Sequence, residues 1–177
     1  MITARPYDDT LAMVVLSGLD PFDLIEAGLV RGAQPGHLAL FADWRLAHQQ
    51  AILSAVFCYD KALGGNPFAV LMLGNTGQAG VAQAALLSRD HGKHRRALVN
   101  AARFIRNEMK QFCCDNGIHR IEARSWSDHP TAANFLRACG FVKETTMQGF
   151  GVSGTIKFDQ FACIPDDLKG KTKCVSE

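Results

Sequence analysis

The chain has 177 residues, is 47% hydrophobic and 20% charged, and carries a net charge of +2. That length suits one domain, or two at most, and lets a fold bury roughly 70% of its unfolded surface. The composition excludes disordered, collagen-like and repeat-array chains, the charge gives no overall pull toward nucleic acid, and no apolar run reaches the ~18 residues needed to cross a bilayer.

From the start, Ile2-Thr3-Ala4-Arg5-Pro6 reads as a short strand stopped by Pro6. Asp8 and Asp9 then cap a helix through Leu11, Val14 and Val15. Asp20-Pro21 opens a second helix with apolar positions at Phe22, Ile25, Leu29 and Val30, closed by Gly32. Asp23 and Glu26 read as exposed acids near its N-terminus, where the helix dipole favours them. Leu38 to Gln50 is helical with weak periodicity. Ile52–Tyr59 and Pro67–Leu73 are apolar runs joined by Gly64-Gly65-Asn66, as expected for two strands and a turn. Val81–Leu87 is open between strand and buried helix: its alanines favour helix and its place in the order favours strand.

From Lys93, the apolar residues Leu98, Ala101, Ala102, Ile105, Met109 and Phe112 recur every three or four positions, one stripe of a long helix ended by Asn116-Gly117. Ile118 to Trp126 alternates as a half-buried strand. Asp128 is the expected cap of the next helix, whose buried face holds Ala132, Phe135, Leu136 and Cys139 before Gly140. Phe141–Met147 and Thr155–Ala162 form an antiparallel hairpin. Residues 165–177 are a polar tail after one domain spanning 1–164. A strand–helix–strand unit with so long a helix implies a parallel pair. The fold class is therefore α/β (α+β), a mixed, mostly antiparallel sheet with helices on both faces and a parallel strand–helix–strand core.

The six cysteines have no Cys-x-x-Cys spacing and no histidine at zinc-ligand spacing, so no metal site is expected and buried thiols in a reducing compartment are. The chain opens directly on a strand-like segment with no secretory signal, and the cytoplasm is the expected location. One local cluster stands out: His91-Gly92-Lys93-His94-Arg95-Arg96 opens the long helix. Backbone N–H groups at such a terminus hold anions, phosphate above all; the same residues read equally as a solvated helix face.

The run Asp128 to Phe141, DHPTAANFLRACGF, resembles the last helix of GCN5-related N-acetyltransferases (GNATs), with Ala133, Leu136, Gly140 and Phe141 in register. With the preceding strand–helix–strand order, the resemblance covers roughly residues 80 to 162. Arg89-Asp90-His91-Gly92-Lys93-His94 resembles that family's Q/R-x-x-G-x-G/A loop, in which Arg89 and Gly92 fit and His94 does not. The resemblance implies acetyl-CoA as cofactor, bound by Leu87, Ser88, Arg89, Gly92, Lys93, His94, Arg95 and Asp128, and an amine as acceptor. It assigns no catalytic residue. Leu136 stands where many members have a tyrosine acid, and Val81–Leu87 holds none of the usual glutamate base. Glu122 is a substitute that a solvent-facing strand position explains as well, and His119 and His129 are further candidates that read more readily as surface or cap residues. Asp20, Asp23 and Glu26 are candidates to attract a cationic amine. Ala4-Arg5-Pro6, Asp23 to Gly28, Gly64 to Pro67, and His129 with Phe135-Leu136 before Cys139-Gly140-Phe141 resemble a bacteriophage subset of the fold, which implies a non-catalytic virion or phage–host interaction protein with other virion proteins as partners. Nucleic acid is an unlikely ligand, since no aromatic residues interleave the arginines for base stacking.

Overall fold

The computed structural model describes residues 1–60, 62 and 65–165. Gly64 of the first glycine turn, and all but the first residue of the polar tail with Cys174, lie outside the described residues. Chain order gives β1 (Ile2–Pro6), α1 (Asp9–Leu16), α2 (Pro21–Arg31), α3 (His37–His48), β2 (Ala51–Tyr59), β3 (Pro67–Asn75) and β4 (Val81–Ser88). It continues with α4 (His91–Asp115), β5 (Arg120–Trp126), α5 (Ala132–Cys139), β6 (Val142–Phe150) and β7 (Ile156–Cys163). Val81–Leu87, open between strand and helix in the sequence, is strand. It pairs with β3 on one side and β5 on the other, and this tertiary pairing overrides the helical propensity of its alanines.

The seven strands form one sheet in the order β1-β2-β3-β4-β5-β7-β6. Every pair is antiparallel except β4–β5, which the α4 crossover makes parallel. Strand alternation sends Val56, Cys58, Val70 and Met72 to one face, under Ala12, Val15 and Leu16 of α1 and Trp44 of α3. Phe57, Ala69, Ile121, Ala123 and Phe161 face the other way, under α4 and α5. The helical stripe behaves as its spacing requires: Ala101, Ala102 and Met109 are buried, with Leu98, Ile105 and Phe112 packed around them.

Three helix ends set the chain's path between the two faces. Asp20 caps α2 by accepting the Phe22 N–H at 3.0 Å. The expected cap of α5 is corrected: Asp128 is exposed and α5 begins only at Ala132, after Thr131, which makes no side-chain cap bond. His129 does that work, its Nδ1 accepting the N–H groups of Thr131 (3.3 Å) and Ala132 (3.0 Å). Pro130 between them keeps the helix from starting earlier. At the far end, Gly140 takes φ of 104° to end α5 and turn the chain into β6. Gly140→Ala should therefore cost about 1–2 kcal/mol, read as a lower midpoint in urea with an unchanged slope.

Cys58, Cys113 and Cys139 are buried thiols, and burial pushes the last two up to about 12, so neither is a nucleophile. Cys114 departs from the expectation, since it is not a free thiol. Among the described residues no helix is long and apolar enough to cross a membrane.

Candidate active site

β4 and β5 pair only from Val81↔Arg120 to Ala84↔Ala123. Beyond that point the strands part, although β4 runs on to Ser88 and β5 to Trp126. Arg89 gives its N–H to Phe68 of β3, so the peptide of Ser88, one residue earlier, faces the gap. The same alternation turns the peptide of Leu86 into the gap. A cavity of about 490 Å³ opens there, between α4 and α5 above the sheet. Small residues (Ala84, Ala123 and Ser125) form its floor, and Leu98, Ile105, Phe135 and Leu136 its walls.

The polar end of this cavity is built by α2. Asp23 is buried at 7% exposure and accepts the Ser88 N–H at 2.7 Å. Three residues on, one turn along the same face, Glu26 accepts the Trp126 N–H at 3.1 Å. The helix thus spans the gap with one carboxylate on each parted strand. Asp20, also buried, gives its N–H to the Ser88 carbonyl at 2.9 Å and takes the His91 N–H at 2.8 Å. The reading of Asp23 and Glu26 as exposed dipole-compensating acids is therefore corrected: sequence periodicity could not show that this end of α2 meets the sheet.

Two histidines complete the cluster. His129 Nε2 and His91 Nε2 each lie 3.1 Å from Asp23 Oδ1. Their ligand-type atoms converge within 4.8 Å, as a metal trio would. The hydrogen bonding reads otherwise. Because His129 Nδ1 accepts two backbone N–H groups, the ring proton sits on Nε2 and points at Asp23, where a metal ligand needs a lone pair. His91 Nδ1 meets Thr131 Oγ1 at 3.0 Å. The trio is a hydrogen-bonded brace joining α2, α4 and the start of α5.

Burial would raise Asp23, but the hydrogen bonds from His129 and His91, the charge of His91 and the Ser88 N–H outweigh it and leave the carboxyl below its usual range. Burial likewise acts to lower His91, and the hydrogen bond and charge of Asp23, with the charges of Asp20 and Asp90, overcome it and raise the imidazole. Glu26 has no such pairing. Burial dominates, only partly offset by the Trp126 N–H, and its pKa stands at about 7.

The sequence-derived cofactor residues fall into three groups. Leu87, Ser88 and Arg95 line the cavity. Gly92 and Lys93 lie in the exposed first turn of α4. Arg89, His94 and Asp128 point elsewhere: the Arg89 guanidinium packs on Gly18 and bonds the Pro67 carbonyl at 3.1 Å. His94 is a core histidine, stacked on Phe68 with its Nδ1 2.9 Å from the Tyr59 hydroxyl, so its side chain leaves the helix terminus clear. Three of the N–H groups around the expected phosphate site, those of Ser88, His91 and Lys93, are engaged by the chain's own acids. Asp20 takes that of His91 and Asp90 that of Lys93, while Asp23 takes that of Ser88. Of the substitute bases, Glu122 is tied to Arg120 at 2.8 Å and His119 is exposed. Leu136 lines the cavity with no proton to give. Sequence reasoning missed that Glu26 is half-buried against the end of β5; its i, i+3 spacing from Asp23 after a capped proline was the available signal.

No family model matches the chain, and no curated protein does. Solved structures match over nearly the whole length. A GNAT-family acetyltransferase from Bacillus anthracis superposes with TM-score 0.70 at 7% identity, covering 94% of this chain and 96% of that one. Spermidine N-acetyltransferase from Vibrio cholerae, in complex with CoA and spermine, gives 0.66 at 13% identity over 94% and 97%. The ribosomal-protein-S18-alanine N-acetyltransferase from Escherichia coli gives 0.63 at 10% identity over 100% of both chains. The architecture is the GNAT fold. At these identities the likeness is one of fold alone.

Proposed function

Starting from that fold, we propose that the chain is an acetyl-CoA-dependent N-acetyltransferase for a small cationic amine, with Glu26 as its general base. The observation that carries this reading is the parting of β4 and β5 after Ala84↔Ala123, over a groove between α4 and α5, with a half-buried carboxyl of pKa about 7 in the gap. A base is most useful when its pKa lies near working pH.

The residues fit the cofactor in one part and resist it in another. The Leu86 peptide faces the gap and suits an extended amide-bearing arm; the apolar groove walls exclude water around it. Arg95, Lys93 and the Gly92 N–H would hold the phosphate end at the start of α4. Asp20 and Asp90 stand at the same helix start and oppose a phosphate. Bound there, acetyl-CoA would supply the acyl group as an activated thioester. Glu26 takes the proton from the acceptor ammonium, Asp20 and Asp23 concentrate cations at the gap, and the Leu86 N–H faces the position of a developing oxyanion. A thiol leaving group, with pKa near ~8.5, needs little help from an acid, so Leu136 in the tyrosine's place is tolerable.

The opposing acids give a directional expectation. Asp20→Asn retains an α2 cap through its one oxygen, gives up the acceptor that holds the His91 N–H, and removes one negative charge from the phosphate end. Acetyl-CoA should bind on the order of fivefold more tightly to this variant, the worth of about 1 kcal/mol of relieved repulsion; weaker binding would place the phosphates elsewhere. The reading as a whole is tested by thiol release from acetyl-CoA with a panel of diamines and amino compounds. Amine-dependent release supports it. Failure of every amine, together with no stabilisation by CoA, would favour a second reading: a non-catalytic chain, such as a virion protein, that keeps the fold with its phosphate amides capped by its own carboxylates.

A further inference from the structure

β5 carries two arginines on the face away from α4 and α5, and the structure treats them differently. Arg120 is saturated: Glu122 bonds its Nε at 2.8 Å and Glu144 grips the other side of the guanidinium through both carboxylate oxygens. Arg124 has no carboxylate within ion-pair distance among the described residues. Its side-chain partner is the neutral Gln160, its cross-strand neighbour on β7, which accepts from Nε at 3.0 Å.

Gln160 is 7% exposed, so this support is built into the sheet. By holding Nε it fixes the fork and leaves the two terminal nitrogens with their full charge. Where the strands part, the cavity reaches through to this face, and Arg124 lines it together with Glu26. Arg124 lies two residues before Trp126, whose N–H holds the Glu26 carboxylate, a step of about 6.6 Å along the strand. The gap therefore presents, in one lining, an acid and an arginine with no acid partner among the described residues, the pair of charges that the ammonium and carboxylate of an amino acid would meet.

We propose that the acceptor is an amine that also carries a carboxylate, its ammonium against Glu26 and its carboxylate in the fork of Arg124. Arginine suits the second task because its planar donors match a carboxylate two-for-two. Arg124 is a specificity residue that touches substrate and takes no part in proton transfer. This inference rests on the acetyl-transfer reading for its chemistry, and on geometry alone for binding.

The test compares glycine, β-alanine and 4-aminobutyrate with their carboxamides, on the wild type, Arg124→Gln and Arg124→Lys, by acetyl transfer and by thermal stabilisation without acetyl-CoA. The wild type should prefer at least one carboxylate over its amide by on the order of 10- to 100-fold, mainly through KM. Arg124→Gln should reduce that ratio to near one, and Arg124→Lys should leave it in between. No preference in the wild type, or a preference that survives Arg124→Gln in a variant melting like the wild type, would overturn the proposal. Carboxylate-dependent stabilisation that Arg124→Gln erases, without any acetyl transfer, would uphold the binding site and reject the acetyl-transfer reading.

Discussion

Glu26→Gln should lower acetyl transfer by about 10²- to 10⁴-fold and at the same time make the protein more stable above pH 7. Both effects have one cause. The Glu26 carboxyl is half-buried and has a pKa of about 7, against an ordinary value of 4.5. Between those two values the folded chain holds a proton that the unfolded chain has released. Stability therefore falls as pH rises from 4.5 to 7, by roughly 3 kcal/mol, and is flat on either side as far as this group is concerned. Glutamine keeps an oxygen for the Trp126 N–H and carries no charge to bury, so the variant's stability profile should lose that decline. In activity, the wild type's rise with pH toward a midpoint near 7 should disappear. A structural glutamate would show the stability change without the loss of turnover. A variant with wild-type kcat would remove Glu26 from the chemistry.

His129→Ala should be the most destabilising single truncation at the site, about 2–4 kcal/mol. The ring accepts two N–H groups at the start of α5 and gives its Nε2 proton to the buried Asp23. Removing it uncaps α5, worth about 1 kcal/mol, and leaves a buried carboxylate short of a donor. The double variant His129→Ala/Asp23→Ala should recover part of the loss, since the carboxylate left one donor short goes with it; equal or greater loss in the double variant would show that Asp23 is not stabilised through His129. Chemical denaturation of the wild type, the single variants and the double variant measures both quantities.

Most of the architecture was legible in the sequence because its signals are local. Caps at Asp8 and Asp20, stops at Gly32 and Gly140, and the stripe through Met109 each report on their own neighbourhood, and the order of elements then leaves few ways to build a sheet. The site was less legible because it is made by contacts across 65 to 106 residues of chain: Asp23 to Ser88, and Asp23 to His129. Nothing near Asp23 in the sequence separates a solvated acid from one folded against a strand end. His94 shows the converse. In the glycine-rich pattern it is the residue that does not fit, whereas its side chain turns inward to Tyr59 and Phe68 and leaves the helix start clear. The self-capping by Asp20 and Asp90 could be suspected from composition only as a cluster of acids beside a cluster of bases. Which amide each acid takes is a property of the fold.

Binding of acetyl-CoA at the start of α4 and in the gap between β4 and β5 is tested most directly by calorimetric titration of the wild type and Gly92→Trp. Gly92 is exposed, and a Cβ there meets only Asp90 Oδ1 at 3.4 Å, so the indole is accommodated outside the core while covering the helix terminus. The expected result is saturable binding to the wild type and its loss in the variant at an unchanged melting temperature. No heat of binding to the wild type at millimolar acetyl-CoA, or equal binding to both proteins, would contradict it.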